Sequence, residues 1–229
     1  MKDKQDQSIT EKGIKSRLTA LLILNLAVVI MEIRAAWLAF LQQGFYVFLF
    51  YTNLSNFLAL FASLVTVIYA ILCLRQQRNC IPDWVGMLDY MTVCGLTITF
   101  LVVVTVLAPM NGVEGYVNMM LRGPMFYHHL LCPVILFFSY ILLGPESSLP
   151  AEKARLIAMI PTTLYAVVMI LLNILKVTDG PYPFLRVWNQ PFYASVLWTA
   201  AILGGSLLIA WVIQKLNLRF NRPFRPTAC

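Results

Sequence analysis

Six apolar stretches, each long enough to cross a lipid bilayer as a helix, constrain this chain more than any other feature. A spanning helix needs about 20 residues, and these stretches lie near residues 18–40, 46–74, 84–108, 125–144, 155–176 and 193–214. Hydrophobic residues make up 60% of the 229 residues, whereas a soluble domain seldom exceeds about half. The sequence therefore predicts an all-α, polytopic integral membrane protein with six transmembrane helices and no separate soluble domain.

The lysines and arginines predict how these helices are oriented. Thirteen of the 17 fall on one side of the predicted bundle and three on the other, with Arg34 inside the first span. The positive-inside rule then places both termini in the cytoplasm. The chain divides into a basic cytoplasmic N-terminal segment (1–17), a transmembrane domain (18–214) and a basic cytoplasmic tail (215–229). The majority set is Lys2, Lys4, Lys12, Lys15, Arg17, Arg75, Arg78, Lys153, Arg155, Lys215, Arg219, Arg222 and Arg225, and the minority set is Arg122, Lys176 and Arg186.

The net charge of +7 is explained by this topology, so we predict no nucleic-acid partner. The basic segments are also suited to contact anionic lipid head groups. The five cysteines form no CxxC or Cys/His ligand pattern, and no phosphate-binding loop, G-x-S-x-G or HExxH motif occurs. The sequence therefore predicts no metal and no organic cofactor. It also lacks an obvious internal repeat of the kind that builds many transporters.

A polar cluster opens the second span, in the stretch FLFYTNLSNF (48–57). Thr52, Ser55 and Asn56 share one helical face because residues three or four apart are neighbours, and Asn53 lies beside them. With the span starting near residue 46, Thr52 lies about 9 Å inside its extracytoplasmic end at 1.5 Å per residue. One interpretation is structural, with hydroxyls bonded to their own helix and asparagines joining helices. The other is that this face lines a functional site.

Two adjacent histidines form the second signal, in MFYHHLLCPV (125–134). His128 and His129 are the only histidines in the chain and lie shortly before Pro133 within the fourth span. An ionisable residue inside a span needs a polar partner and indicates function by default. Adjacent helical residues point about 100° apart, so both cannot face one site fully. The alternative is a structural histidine bonded to a carbonyl or to water.

A third segment, DGPYPFLRVWNQP (179–191), leads into the last span and is typical of a rigid aromatic interfacial loop. Asn173, late in the fifth span, lies at a similar depth. The predicted topology brings this segment, the polar cluster and the histidines to the same extracytoplasmic face. Glu32 and Arg34 in the first span face different ways and are not expected to pair with each other. Asp89 in the third span lies close to the cytoplasmic side and fits a structural pair or a snorkelling role.

Together these segments resemble the androgen-induced-protein-like family of intramembrane threonine hydrolases, which includes androgen-dependent TFPI-regulating protein-like members and bacterial relatives. The order FYTNLSN, HHLLCP and GPYPFL is that of the family, and the resemblance covers most of the chain. It implies hydrolysis of fatty acid esters of hydroxy fatty acids by one Thr and one His. The nucleophile then falls on Thr52 and the base on His128 or His129, a choice that the spacing leaves open.

The remaining expectations concern substrate and setting. A Thr hydroxyl becomes nucleophilic when a base takes its proton, and Asn53 or Asn56 is suited to donate to the resulting oxyanion. Substrate contacts are expected from Asn53, Ser55, Asn56, Asn173, Tyr182 and Phe184. The partners are membrane lipids or a lipid-like ester in what we expect to be a bacterial plasma membrane. Two other functions stay open: a small-solute transporter or channel, and a non-catalytic lipid-binding membrane protein.

Overall fold

The computed structural model describes residues 2–77, 81–145 and 148–221, with side chains from residue 12 onward. The predicted all-α class is confirmed, because the described residues form helices and turns and no strand. Arg78 and part of the predicted cytoplasmic tail, with Arg222 and Arg225, lie outside the described residues. The α-helices are α1 (Lys2–Gln43), α2 (Tyr51–Gln76), α3 (Asp83–Val102), α4 (Gly112–Tyr116), α5 (Gly123–Phe126), α6 (Cys132–Leu143), α7 (Ala151–Ala158), α8 (Ile160–Ile174) and α9 (Phe192–Phe220).

Six helical segments of the described chain are long and apolar enough to cross a membrane. Large apolar side chains on their outer faces are exposed, including Phe45, Trp37 and Leu197. Such surfaces are stable in hydrocarbon and not in water. The protein is therefore a multi-pass integral membrane protein. The segments are Lys12–Leu49, Tyr51–Gln76, Asp83–Leu121, Gly123–Leu143, Ala151–Ile174 and Phe192–Phe220.

The basic N-terminal segment is part of α1, which runs without a break from Lys2 to Gln43. Lys, Gln and Glu have high helix propensity, and the segment contains no proline, so the helix of the first span extends through it. The helix ends where Gly44 takes a left-handed backbone conformation with φ of +56°. A glycine adopts this conformation at little cost, which makes it a common helix terminator.

The second span begins later than residue 46, which corrects the predicted boundary. A 3₁₀ turn occupies Gly44–Leu49, Phe50 is extended, and α2 starts at Tyr51. The extended Phe50 lets the chain reverse direction between two antiparallel helices. Thr52 consequently lies in the first turn of α2 and not about 9 Å inside it. We call the end of the bundle where α1 ends and α2 begins the site end.

A compact excursion, which we call the strap, follows α3 at the site end and comprises residues 109–121. It contains the 3₁₀ turn Pro109–Asn111, α4 and the π-helical turn Val117–Leu121. The Tyr116 hydroxyl donates to the carbonyl of Val104 at 3.1 Å, which folds the strap back on the end of the third span. Gly115 packs so closely that an added Cβ would lie 2.1 Å from the carbonyl oxygen of Ala108.

The opposite end of the bundle is fastened by hydrogen bonds from side chains to backbone carbonyls. Arg17 of α1 donates to the carbonyl of Leu143 at 2.7 Å, and Asn217 of α9 donates to that of Tyr140 at 2.8 Å. The Tyr90 hydroxyl of α3 donates to the carbonyl of Ala210 at 2.6 Å. Between the two ends, buried apolar side chains of α1, α2, α3, α6, α7 and α9 form a continuous core. The site end is thus held by a packed scaffold.

Candidate active site

Thr52 presents both its hydroxyl and its backbone N–H at the N-terminus of α2. The first N–H groups of a helix have no intrahelical acceptor. The N–H of Thr52 donates instead to the hydroxyl oxygen of Tyr182 at 3.3 Å. The Thr52 side chain is 8% exposed, so its hydroxyl lies in a largely water-excluded position. The positive end of the α2 dipole points toward the same position, which favours negative charge there.

His129 is the histidine that meets Thr52. Its Nε2 lies 3.3 Å from the Thr52 Oγ1, and its Nδ1 donates to the backbone carbonyl of Met119 in the strap. A carbonyl oxygen only accepts, so in the neutral ring Nδ1 carries the proton. Nε2 then keeps a free lone pair directed at the Thr52 hydroxyl. The pair has the hydrogen-bond arrangement of a nucleophile and its general base.

His128 points in a different direction, toward α1. Its Nε2 lies 3.3 Å from Oε2 of Glu32, and both side chains are 1% exposed. A π-helical turn, Tyr127–Leu131, carries both histidines immediately before the proline-containing start of α6. The structure therefore brings His129 to Thr52 and places His128 against Glu32.

The other charges inside spans also have partners. The guanidinium of Arg34 lies 5.9 Å from the centre of the Tyr127 ring. The Thr66 hydroxyl lies 2.9 Å from Oδ1 of Asp89, near the end of the bundle away from the site. Asp89 thus has a hydrogen-bond partner within the bundle, and Arg34 lies against an aromatic ring and not against Glu32.

Tyr182 completes the group around Thr52. Its hydroxyl oxygen lies 3.4 Å from Thr52 Oγ1, and its ring stacks on Phe184 with centroids 5.2 Å apart. Burial raises the pKa of the Tyr182 phenol above its ordinary value. The phenol therefore stays protonated at neutral and mildly alkaline pH and can donate a hydrogen bond. Three segments far apart in sequence thus supply a hydroxyl, an imidazole and a phenol to one position.

The rest of the polar cluster supports the backbone around Thr52. The Asn56 amide donates to the carbonyl of Thr52 at 2.7 Å and to that of His128 at 3.3 Å, which joins α2 to the histidine turn. The Ser55 hydroxyl donates to the carbonyl of Thr52 at 2.9 Å and lies 3.1 Å from the Thr99 hydroxyl. These contacts give both residues a positioning role and leave their direct contact with substrate a prediction.

Asn53 lies nearer to open space but is also tethered. Its amide donates to the carbonyl of Val47 at 3.1 Å and to Oε1 of Gln43 at 3.3 Å. The amide protons of Asn53 and Asn56 are thus directed at acceptors other than an ester bound at Thr52. The phenol of Tyr182, 3.4 Å from the Thr52 Oγ1, is better placed as an oxyanion donor.

Asn173 serves the loop before the last span. Its amide donates to the carbonyl of Thr178 at 3.0 Å, and its Oδ1 accepts the N–H of Val187 at 2.8 Å. Its backbone carbonyl accepts the indole N–H of Trp188 at 3.0 Å. The structure therefore places Asn173 as an anchor for the loop that carries Tyr182, and does not bring its side chain to Thr52.

Two cavities meet at Thr52. The first, which we call the chamber, has a volume of about 400 Å³ and is lined by Thr52, His129, Tyr182, Arg186 and strap residues, among others. The second, which we call the crevice, is narrow, with a volume of about 50 Å³, and runs between α2, α3, α8 and α9. Its lining is mostly apolar and includes Phe184 and Trp198. Thr52, Leu107 and Tyr182 line both cavities, so the candidate nucleophile lies at their junction.

Two contributors to the site were not among the site residues predicted from the sequence. Met119 acts through its backbone carbonyl, which any residue type would present, so its role depends on the fold of the strap. Arg186 lines the chamber, and its signal was its position as a cation in the aromatic interfacial loop. Within the described residues, no group of three or more His, Cys, Asp or Glu side chains is arranged to hold a metal ion.

Comparisons with family models, with curated proteins and with solved structures gave no match to this chain. The fold and the geometry at Thr52 therefore carry the functional argument. They define a multi-pass membrane protein with a Thr–His pair at the junction of two cavities, the chamber, whose lining includes the cation Arg186, and the apolar crevice.

Proposed function

We propose that this protein is an intramembrane lipid esterase in which Thr52 is the nucleophile and His129 is the general base. The observation that carries the proposal is the chain of contacts from the Met119 carbonyl through the His129 ring to the Thr52 hydroxyl. The resemblance of the three quoted segments to intramembrane threonine hydrolases supports it. The substrate class is a fatty-acid ester, such as a fatty acid ester of a hydroxy fatty acid.

The acylation step follows from this geometry. The Thr52 oxygen attacks the ester carbonyl carbon while its proton passes to Nε2 of His129. The Met119 carbonyl stabilises the resulting imidazolium, because it accepts a hydrogen bond from the Nδ1–H of His129. The bond from the carbonyl carbon to the alcohol oxygen then breaks, and Nε2 returns its proton to the departing alcohol. An acyl-threonine remains.

Tyr182 is suited to stabilise the negative charge that develops on the ester oxygen. Its oxygen accepts the Thr52 N–H, so its own proton is available to the oxyanion. Donors preorganised in a site with little water stabilise an oxyanion by about 3–4 kcal/mol each. The dipole at the start of α2 acts in the same direction.

Deacylation uses the chamber. Water entering this cavity meets Nε2 of His129, which takes one proton while the water oxygen attacks the acyl-threonine carbonyl. Collapse of the second tetrahedral intermediate returns the proton to Thr52 and releases the fatty acid. The crevice is suited to receive the first carbons of the acyl chain, next to the carbonyl, in an apolar environment.

The distribution of lysines and arginines supports a reaction at the extracytoplasmic side of the membrane. The predicted topology puts the site end at the extracytoplasmic face of what we expect to be a bacterial plasma membrane. Substrate would enter from the outer leaflet, and water from outside the cell. Membrane lipids or lipid-like esters are the partners that this arrangement fits.

The cavities favour an esterase over a solute transporter. A third small cavity, beside Asp89 and Ser63, lies toward the opposite end and shares no lining residue with the chamber or the crevice. Buried apolar side chains such as Val93 and Leu136 pack between the helices in that region. A transporter would be expected to join these polar regions in one path.

The test is hydrolysis of a fatty acid ester of a hydroxy fatty acid by the purified protein in nanodiscs. Thr52→Ala is expected to abolish turnover and Thr52→Ser to retain it, because serine keeps the hydroxyl. His129→Ala is expected to lower kcat by about 10²–10⁴-fold. His128→Ala is the matched control and should retain turnover in the folded fraction. Normal turnover by Thr52→Ala would refute the assignment of the nucleophile.

A further inference from the structure

Arg186 gives the chamber its electrostatic character. Apart from the titratable His129, it is the one formally charged side chain among the described residues that line this cavity. No Asp or Glu belongs to that described lining. A cavity with one fixed positive charge and no carboxylate attracts anions.

The guanidinium of Arg186 is largely uncommitted. Its Nε donates to the carbonyl of Gly180 at 3.4 Å, a long hydrogen bond. Within the described part of the chain, neither terminal nitrogen has a hydrogen-bond partner, and no carboxylate lies within 4.0 Å of the guanidinium. Arginine presents these nitrogens as a planar fork that matches carboxylate or phosphate oxygens.

Two other cations at the site end, Lys176 and Arg122, contact groups outside the chamber. Lys176 lies over the ring of Trp188, with Nζ 5.0 Å from the ring centre. Arg122, the residue after the strap, donates to the amide oxygen of Asn118 in the strap at 2.7 Å. Neither of these two cations lines the chamber.

The loop that holds Arg186 is well fixed, so the charge has a defined position. Asn173 accepts the N–H of Val187, the residue after Arg186, at 2.8 Å. On the other side of the loop, the Gln190 amide donates to the carbonyl of Phe184 at 3.1 Å. A preorganised cation loses less conformational entropy on binding an anion than a mobile one.

We propose that the chamber is a binding subsite for an anionic group, a carboxylate or a phosphate, on the alcohol portion of the ester, and that Arg186 selects it. This inference rests on the proposed esterase function and names the substrate class of the same site. Thr52 lies where chamber and crevice meet, so an ester bound there directs the first carbons of its acyl chain toward the apolar crevice and its alcohol portion into the larger chamber. Arg186 then pairs with the charged end of that portion.

The experiment compares three esters of one hydroxy acid with the same acyl chain: the free carboxylate, its methyl ester, and an analogue with phosphate in place of the carboxylate. Initial rates are measured for wild type, Arg186→Gln and Arg186→Lys. Lys176→Gln is the matched control, because it removes one positive charge from the same end without altering the chamber. Binding of the same three compounds is also measured on Thr52→Ala protein, with and without Arg186→Gln, where no turnover interferes.

We expect wild type to prefer the two anionic esters over the methyl ester. Whichever anionic ester binds more tightly identifies the preferred anionic group, carboxylate or phosphate. Arg186→Gln should raise KM for the anionic esters about tenfold, the size of a charge-assisted hydrogen bond, and leave kcat and the methyl ester unaffected. Arg186→Lys should retain part of the preference and Lys176→Gln all of it. Equal losses for charged and neutral esters in Arg186→Gln, or no loss, would overturn the subsite.

The binding measurements separate this inference from the function on which it rests. If wild type hydrolyses none of the esters but Thr52→Ala binds the anionic ones through Arg186, the esterase is wrong and the anionic subsite stands. If wild type hydrolyses all three equally and binds them equally, the esterase stands and the subsite is wrong.

Discussion

Replacing Tyr182 with phenylalanine removes one oxygen from the site and leaves the ring that stacks on Phe184. The lost hydroxyl is the acceptor of the Thr52 N–H and lies 3.4 Å from the Thr52 Oγ1. If it donates to the oxyanion, its loss should lower kcat by about 10²–10³-fold, or roughly 2.7–4 kcal/mol. KM should change little, because the hydroxyl contributes mainly in the transition state.

The same substitution also has a cost in stability, which a second variant measures. The Thr52 N–H loses its acceptor, and a buried unpaired donor costs about 1–3 kcal/mol. Tyr90→Phe is the matched control, since its hydroxyl donates to the carbonyl of Ala210 at 2.6 Å and lines neither the chamber nor the crevice. Both variants should lower the thermal unfolding temperature in detergent, and only Tyr182→Phe should lower kcat.

The assay is steady-state hydrolysis of a lipid ester in nanodiscs, corrected for the folded fraction of each variant. A Tyr182→Phe protein with wild-type kcat would refute the oxyanion role and leave Tyr182 as a packing residue. Equal losses of kcat in both variants would show that destabilisation, and not chemistry, explains the effect.

Three further outcomes follow from the structure. His128→Ala should lower stability by about 1–3 kcal/mol, because it removes the buried polar group that faces Oε2 of Glu32; thermal unfolding measures this, and His128→Ala/Glu32→Gln should recover part of it. Gly115→Ala should lower both stability and the kcat of the folded fraction, because its Cβ would meet the Ala108 carbonyl oxygen at 2.1 Å and displace the strap that orients the catalytic histidine; unchanged kcat would contradict that role of the strap. Asn173→Ala should raise KM and increase proteolysis of the 175–191 loop, since two of its side-chain hydrogen bonds to the loop backbone are lost.

The convergence of three segments at one end of the bundle was predictable from the sequence. Alternating spans bring every second connection to the same side, and the lysine and arginine pattern separated the two sides. Two adjacent histidines are unusual in an apolar span, and so is the concentration of four polar residues within positions 52–56. The sequence therefore indicated which segments meet, and the structure places them in contact.

The choice between the histidines was not predictable, because it depends on tertiary contacts. His128 and His129 are adjacent, and helical periodicity alone does not show which of the two side chains faces Thr52. The π-helical turn before Pro133 and the position of Glu32 on α1 decide which ring faces α2. Neither of these tertiary features can be recognised from the residues around the two histidines.

The start of α2 and the role of the strap could not be predicted from the sequence, for different reasons. Phe50 and Tyr51 are both aromatic, so hydropathy did not reveal the break between them, although Gly44 marked the end of α1. The Met119 carbonyl is a backbone group and has no sequence signature. Its contact with His129 arises from the way that Gly115 lets the strap pack against the third span.

The most direct test of the proposed mechanism is to label the nucleophile covalently. Purified protein is incubated with a lipid fluorophosphonate, whose phosphorus is attacked by the nucleophile as fluoride leaves, and the labelled peptide is sequenced by mass spectrometry. We expect a phosphonyl adduct on Thr52 that is absent in Thr52→Ala and strongly reduced in His129→Ala, but not in His128→Ala. An adduct on another residue, or equal labelling of wild type and Thr52→Ala, would contradict Thr52 as the nucleophile.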